Sequence, residues 1–237
     1  MSHVKTMQAF GKLTGICTGL GGTYNPGKQN LQVNAMITLL NSAQQAWEEV
    51  KEAQKAYDNA TNDRELEFRK IRKLSSSVCG MLKAHGTNGL LLEDALNNKR
   101  RIWGTRISKS PVVDTEKPDE KEARSSYSKA YVVIAEYFDK LVKTVASEPE
   151  YNPNEPELTL ASLEQTLTGL FNLNKAVIAA EIRLEEARIK RNTVYYIAPE
   201  NLVDTAVAVK TYVRSAFGFQ SQQHQQVQKL RFTKPNL

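Results

Sequence analysis

Residues 31–79 contain neither proline nor glycine, and this long stretch limits what the chain can fold into. Residues 158–198 form a second such stretch, interrupted only by Gly169. Both stretches favour helix, because proline and glycine are the residues that most often end one. In each stretch the apolar side chains recur at spacings of three and four, which is the period of one helix face. The pattern predicts helices of about 30 to 40 residues, roughly 45–60 Å long.

The two stretches belong to an internal repeat. Tyr24-Asn25-Pro26 recurs as Tyr151-Asn152-Pro153, an offset of 127 residues, and the same offset pairs further residues downstream. These pairs are Leu31 with Leu158, Met36 with Leu163, Leu40 with Leu167, Val50 with Val177, Ala60 with Ala187 and Arg64 with Arg191. Short connections between long amphipathic helices are typical of antiparallel bundles. We therefore predict an all-α fold, an antiparallel bundle of long helices built from two tandem sequence repeats with a pseudo-two-fold relation.

The repeat also predicts how the chain is divided. The first helical repeat covers residues 1–106 and the second covers 124–237, with a charged, proline-containing linker at 107–123. Each repeat could form a small bundle alone, or the two could pack together. We expect them to share one core, since a single repeat offers few elements to cover such a long apolar stripe.

Local signals predict where the helices end. "NDRE" after Thr61 is a capping pattern, which suggests that the first long helix breaks near Asn62. Pro199 predicts the end of the second long helix. Further helices are expected at 74–84 and 202–216, ended by Gly86 and Gly218, and shorter segments at 90–101 and 221–230.

The spacing Gly22-x-x-x-x-Gly27-Lys28 matches a phosphate-binding loop except in its last position, where Gln29 replaces the hydroxyl residue. The second copy has Glu155 in place of the lysine, and a carboxylate there would repel phosphate. No strand-like run precedes the loop. Both copies share Asn-Pro, a turn signal, followed by a helical pattern. We therefore predict that this stretch connects two helices.

The composition is that of an ordinary globular protein, with 41% hydrophobic and 24% charged residues. No apolar run approaches the ~20 residues of a membrane span, and the N-terminus lacks the apolar core of a signal peptide. Two cysteines are too few for a disulfide framework. We expect a soluble, cytoplasmic protein without membrane contact. The net charge of +6 permits an acidic partner but does not require one.

Residues with catalytic or metal-binding chemistry are sparse. His3, His85 and His224 are far apart and lack the i, i+4 spacing of a helical metal site, so we expect them on the surface or in loops. Cys17 and Cys79 stand beside apolar residues and are expected to be buried rather than nucleophilic. No nucleophile-elbow motif and no Glu-x-x-His pattern occurs. We predict no catalytic residue, no cofactor and no metal, and a protein that is not an enzyme.

Basic clusters are the strongest remaining signal, one around Trp103 and another around Phe232. Basic residues beside an aromatic ring could grip a phosphate backbone and stack a base. Alternatively, the charges form a solvated, ion-paired surface, as the i, i+4 spacings at 65/69 and 186/190 suggest, and the rings only anchor each segment. The candidate nucleic-acid or partner contacts are Lys99, Arg100, Arg101, Trp103, Arg106, Lys229, Arg231, Phe232 and Lys234.

Four segments carry a resemblance to known sequences: CTGLGGTYNP, ASEPEYNPNEPEL, EARIKRN and the ending AFGFQSQQHQQVQKLRFTKP. They resemble motifs of an uncharacterised, duplicated, all-helical protein family associated with Bacteroidetes genomes. The likeness covers most of the chain except the linker. It implies the duplicated helical architecture and brings no activity with it.

The sequence thus predicts a non-enzymatic helical scaffold or protein-interaction protein. Its two related halves are expected to present similar surfaces to a protein partner or to a second copy of the chain. The alternative is nucleic-acid binding through the basic segments at the end of each repeat.

Overall fold

The computed structural model describes residues 3–104 and 123–235, with side chains from residue 131 onward in the second range. Every regular element in these ranges is helical, which confirms the predicted all-α class. None of the helices described is both long and apolar enough to cross a membrane. In chain order the α-helices are α1 (His3–Gly19), α2 (Val33–Ala84), α3 (Gly89–Trp103), α4 (Ala123–Ala146), α5 (Leu160–Asn192), α6 (Leu202–Phe217) and α7 (Gln222–Gln228).

The first long helix, α2, runs without interruption for 52 residues. The predicted break near Asn62 is therefore wrong, and the separate helix expected at 74–84 is the last part of α2. A capping residue stabilises a helix start only where the chain has left the helical conformation. Beyond Asn62, Glu65 pairs with Arg69 and Glu67 pairs with Lys70. In each pair the two residues stand about one helical turn apart. Such pairs stabilise a continuing helix, so the cap pattern is not used.

The second long helix does end where the proline predicts. α5 stops at Asn192, and residues Thr193–Ile197 form one wider, π-helical turn before Pro199. α6 then begins after Asn201, whose side-chain oxygen accepts a hydrogen bond from the Asp204 amide at 2.9 Å. This bond satisfies one of the free amides at the start of α6.

Glycine ends both α2 and α6, as predicted. Gly86 and Gly218 have φ angles of 75° and 91°, which are unfavourable for a residue that carries a Cβ atom. The short helices α3 and α7 follow, at the places where the sequence predicts its last segments. The side chains of Asn88 and Ser221 cap them, each accepting a hydrogen bond from a first-turn amide, at 3.0 and 3.1 Å.

A buried tyrosine closes the connection between α1 and α2. The Tyr24 hydroxyl donates to the carbonyl of Leu31 at 2.7 Å, and burial raises the pKa of Tyr24 well above its usual range. The connection contains two short 3-10 segments, Gly21–Thr23 and Gln29–Leu31, and it joins helix to helix. The prediction that this stretch connects two helices is therefore confirmed.

An equivalent tyrosine closes the turn that leads into α5. The Tyr151 hydroxyl donates to the carbonyl of Leu158 at 2.8 Å, again across seven residues. Burial raises the pKa of Tyr151 to about 12, so the hydroxyl remains a donor at neutral pH. Both turns are thus closed by the same kind of hydrogen bond, from a tyrosine hydroxyl to the backbone carbonyl seven residues later.

The chain forms two compact units, a first of Met1–Ala56 with Glu181–Leu237 and a second of Tyr57–Ala180. Both units combine residues from before and after the predicted linker, whose positions 107–122 lie outside the described residues. The core of the first unit includes Phe10, Leu13, Met36, Tyr195, Leu202 and Val227. The core of the second unit includes Phe68, Ile71, Leu82, Phe138, Leu141 and Leu163.

Candidate functional site

The first predicted basic segment lies at the end of α3, in the second unit. Arg100 donates to the side-chain oxygen of Asn97 at 3.0 Å, and the Arg101 guanidinium lies 5.9 Å from the centre of the Tyr137 ring. Lys99 is half-buried. The predicted contact at position 106 lies outside the described residues. Arg100 and Arg101 therefore make contacts within their own unit.

The aromatic residues of both segments are attached to their own units. The Trp103 indole N–H donates to the carbonyl of Arg72 at 3.1 Å, although 46% of the residue remains accessible. Phe232 is half-buried against the core of the first unit. These contacts favour the interpretation that the rings anchor their segments over the one in which they stack bases.

The second predicted basic segment follows α7 in the first unit. Lys234 pairs with Asp204 at 2.6 Å, and its hydrogen bond lowers the pKa of that carboxyl. Lys229 and Arg231 are exposed, and among the described residues no carboxylate pairs with either. The two predicted segments belong to different units.

A cleft of about 300 Å³ in the first unit brings Lys229 and Arg231 beside two further cations, which the sequence analysis missed. Lys5 and Lys12 stand on α1, seven residues apart and therefore on one side of the helix. The lining residues are Lys5, Gln8, Ala9, Lys12, Lys229, Leu230 and Arg231. In the sequence, the side of the cleft that α1 forms is marked only by polar residues at positions 5, 8 and 12. An ordinary solvent-exposed helix face shows the same pattern.

Backbone contacts hold the second wall of this cleft in place. The Lys210 ammonium donates to the carbonyl of Leu230 at 2.7 Å, and burial lowers the pKa of Lys210. Leu230 and Phe232 pack against the core, while Arg231 between them is exposed. This alternation is that of an extended chain with one side buried, so Arg231 points away from the core.

Elsewhere in the first unit and in the second unit, many cations are neutralised. The predicted pair of Glu65 and Arg69 is confirmed. The predicted pair at 186/190 is wrong, because Lys190 instead pairs with Glu49 of α2 at 2.7 Å. Arg188 pairs with Glu185 at 2.6 Å. The ion-paired interpretation therefore holds for these clusters but not for Lys229 and Arg231.

All three histidines are less exposed than expected, and His85 is half-buried. His224 is 6% accessible, with Nδ1 2.8 Å from the carbonyl oxygen of Phe219, so its predicted surface location is wrong. His3 is half-buried, with Nδ1 2.9 Å from the Tyr196 hydroxyl. Burial, together with the charge of Arg191, lowers the pKa of His3. Within the described ranges, no three His, Cys, Asp or Glu side chains are grouped so that they could hold a metal ion.

Both cysteines are buried, which confirms that prediction. Burial raises the pKa of Cys17 to about 11 and also raises the pKa of Cys79. The thiolate is the reactive form of cysteine, and a raised pKa makes it scarce at neutral pH. Both shifts therefore disfavour the reactive form of these thiols.

A wider groove, of about 990 Å³, lies in the second unit between α2 and the segment that precedes α5. Lys70 and Lys73 line one wall, and Glu155 and Glu157 line the other. Lys70 is already paired with Glu67 at 2.6 Å. Because both signs of charge are present, the groove shows no preference for a ligand of either charge.

No protein-family model matches this chain, and no curated protein or solved structure matches it significantly. The resemblance to the duplicated Bacteroidetes family therefore stays a prediction.

Proposed function

We propose that this chain is a non-enzymatic helical protein-interaction protein whose contact surface lies on α5. In the second unit, α5 exposes Phe171 and Ile178, which are 38% and 49% accessible. In the first unit, α5 exposes Ile182 and Ile189, at 54% and 63%. The members of each pair are seven residues apart, about two helical turns, and so lie on the same side of the helix. Exposed apolar groups that cluster in this way are typical of surfaces on which another protein packs.

The corresponding positions of α2 support this assignment. At 127 residues before the four apolar positions, α2 carries Gln44, Lys51, Lys55 and Asn62, and all four are exposed. A helix face that is exposed only to solvent is usually polar, and an isoleucine there adds no stability. The exposed apolar residues of α5 therefore favour a contact with another protein. At these positions the two halves differ, whereas the sequence analysis expected them to present similar surfaces.

The simplest partner for this surface is a second copy of the chain. Apolar residues spaced by seven can pack against the same residues of another helix around a two-fold axis. A homodimer of this kind needs no further component. Self-association of the purified chain can therefore be measured directly.

Replacing Ile182 and Ile189 together by lysine is expected to abolish self-association of the full chain. Burial of one isoleucine stabilises a contact by about 1.5–3 kcal/mol. With two lost from each protomer, the dissociation constant should rise at least about 100-fold. Sedimentation velocity at protein concentrations from about 1 to 100 μM measures the change.

The control is the double variant Lys51→Ser and Lys55→Ser on the exposed polar side of α2. It changes the same number of exposed side chains and should leave the association unchanged, while circular dichroism verifies that each variant is folded. A wild-type chain that is monomeric at about 100 μM would overturn the self-association, since specific homodimers form below that concentration. So would an isoleucine variant that associates as well as the wild type.

The proposal includes the architecture of two tandem copies in an antiparallel, pseudo-two-fold bundle. It is supported by the two tyrosine bonds, Tyr24 to Leu31 and Tyr151 to Leu158, whose members are offset by the same 127 residues. The helices that follow, α2 and α5, begin at Val33 and Leu160, again with this offset. Two unrelated segments would have no reason to share both a turn-closing bond and its distance from the next helix.

Equivalent turns should respond equally to the same substitution. Tyr24→Phe and Tyr151→Phe each remove the donor to a carbonyl, and each is expected to lower the free energy of unfolding by about 1–3 kcal/mol. Urea denaturation measures the loss. Tyr57→Phe, which affects a half-buried tyrosine of α2, is the control and should change stability by less than about 0.5 kcal/mol. A large loss for one turn and none for the other would contradict their equivalence.

Nucleic-acid binding is a second candidate function, favoured by the unneutralised charges of Lys229 and Arg231. Because Trp103 and Phe232 are attached to their own units, the contact would be with the phosphate backbone rather than with bases. Binding to duplex DNA that weakens steeply between about 50 and 200 mM salt would support this function. Absence of binding at about 50 mM would remove it.

A further inference from the structure

We infer that the cleft between α1 and the segment after α7 is a binding site for an anion that carries two or more phosphate groups. The described lining of the cleft lies wholly in the first unit, and it contains three lysines and one arginine but no carboxylate. Like charges gathered around one concave surface raise the local positive potential and concentrate anions there. An uncharged or cationic ligand would gain nothing from this arrangement.

Lys12, Lys229 and Arg231 can direct their charges at a ligand in the cleft. Among the described residues, no carboxylate pairs with Lys12, Lys229 or Arg231. By contrast, Lys190, Arg188 and other cations of the chain are neutralised by glutamates. A ligand that pairs with these three groups would relieve their mutual repulsion, which gives a multiply charged anion an advantage over a singly charged one.

The backbone that carries these charges is fixed before a ligand arrives. The Lys210 contact to Leu230 and the burial of Phe232 hold one wall. On α1, Phe10 and Leu13 are fully buried on the side of the helix that faces the core, while Lys5 and Lys12 remain exposed. Binding then requires little ordering of the backbone, which favours affinity.

The chemistry of the lining selects phosphate. The Arg231 guanidinium can donate two parallel hydrogen bonds to phosphate oxygens, and lysines contact phosphate as mobile point charges. The volume of about 300 Å³ is at the lower end for small-molecule sites, enough for a short chain of phosphates. None of the described residues that line the cleft is aromatic, so these residues offer no ring on which a base could stack. The ligand is therefore recognised by its phosphates, whether it is a free oligophosphate or a stretch of nucleic-acid backbone.

Calorimetric titration of the full chain with tripolyphosphate tests the inference. We expect binding in about 50 mM salt that weakens as salt rises. The double variant Lys12→Glu and Arg231→Glu should weaken it at least about tenfold, because two attractions become repulsions. The matched control, Lys28→Glu with Lys55→Glu, makes the same change of charge at exposed lysines of the first unit outside the cleft. It should change the affinity less than about threefold, through net charge alone.

Parallel titrations with a single-stranded DNA of about 20 nucleotides distinguish the two sources of phosphate. DNA binding that tripolyphosphate displaces and the cleft variant loses would assign the site to a nucleic-acid backbone. Tripolyphosphate binding without DNA binding would assign it to a small anion, and the nucleic-acid function would then fail while this inference stands. Absence of tripolyphosphate binding, or equal losses in the cleft and control variants, would overturn the inference. Circular dichroism confirms that the variants are folded, and Arg231→Ala, without a reversed charge, should show a smaller loss of the same kind.

Discussion

Phe138→Ala should lower the free energy of unfolding of the second unit by about 3–5 kcal/mol, and Phe10→Ala should do the same in the first unit. Both rings are fully buried, in the core clusters of their units. Truncation removes apolar area from the core and leaves a cavity that the neighbouring helices fill only in part. A loss of this size is a large fraction of the stability of a domain.

Matched controls are available in each unit. Phe171 of the second unit is 38% accessible and Phe219 of the first is 61% accessible, so Phe→Ala at these positions should cost less than about 1 kcal/mol when stability is measured at protein concentrations at which the chain is monomeric. Urea denaturation gives the total loss, and hydrogen exchange shows which amides lose protection. A Phe138→Ala variant no less stable than Phe171→Ala would contradict the assignment of Phe138 to the core, and the same comparison applies to Phe10 and Phe219.

The helix ends that could be predicted are those set by local chemistry. Gly86 and Gly218 adopt backbone angles that other residues avoid, and Pro199 lacks the amide that a helix interior needs. Such effects act within a few residues and can be identified in one sequence. The cap pattern at Asn62 is different, because it has an effect only if the chain leaves the helix there, and the pattern itself does not show whether that happens.

Half of the candidate cleft could be predicted, since Lys229 and Arg231 lie in a basic segment of the sequence. Lys5 and Lys12 could not, because their position beside that segment depends on the packing of α1 in the first unit. The burial of His224 has a similar cause. Its surroundings are made by the turn after α6 and the start of α7, so an isolated histidine in the sequence carries no sign of them.

Asn62→Pro should destabilise the chain by about 3 kcal/mol or more, because Asn62 lies in the interior of α2. Proline there removes the amide hydrogen bond to the preceding turn, and its ring collides with the carbonyl four residues earlier. Asn62 is itself exposed, so little side-chain packing is lost with it. The loss of stability in Asn62→Pro therefore comes almost entirely from the backbone of α2.

Asn34→Pro is the matched control, the same substitution in the first turn of the same helix. The first amides of a helix have no partner within it, so proline there costs much less than in the interior. Urea denaturation and the helical circular-dichroism signal compare the two variants. If α2 broke near Asn62, as the capping pattern alone suggests, proline at position 62 would occupy the start of a new helix, and the two variants would have similar stability. A continuous α2 requires that Asn62→Pro be the less stable variant by about 2 kcal/mol or more, and it also requires a loss of helical signal that Asn34→Pro does not show.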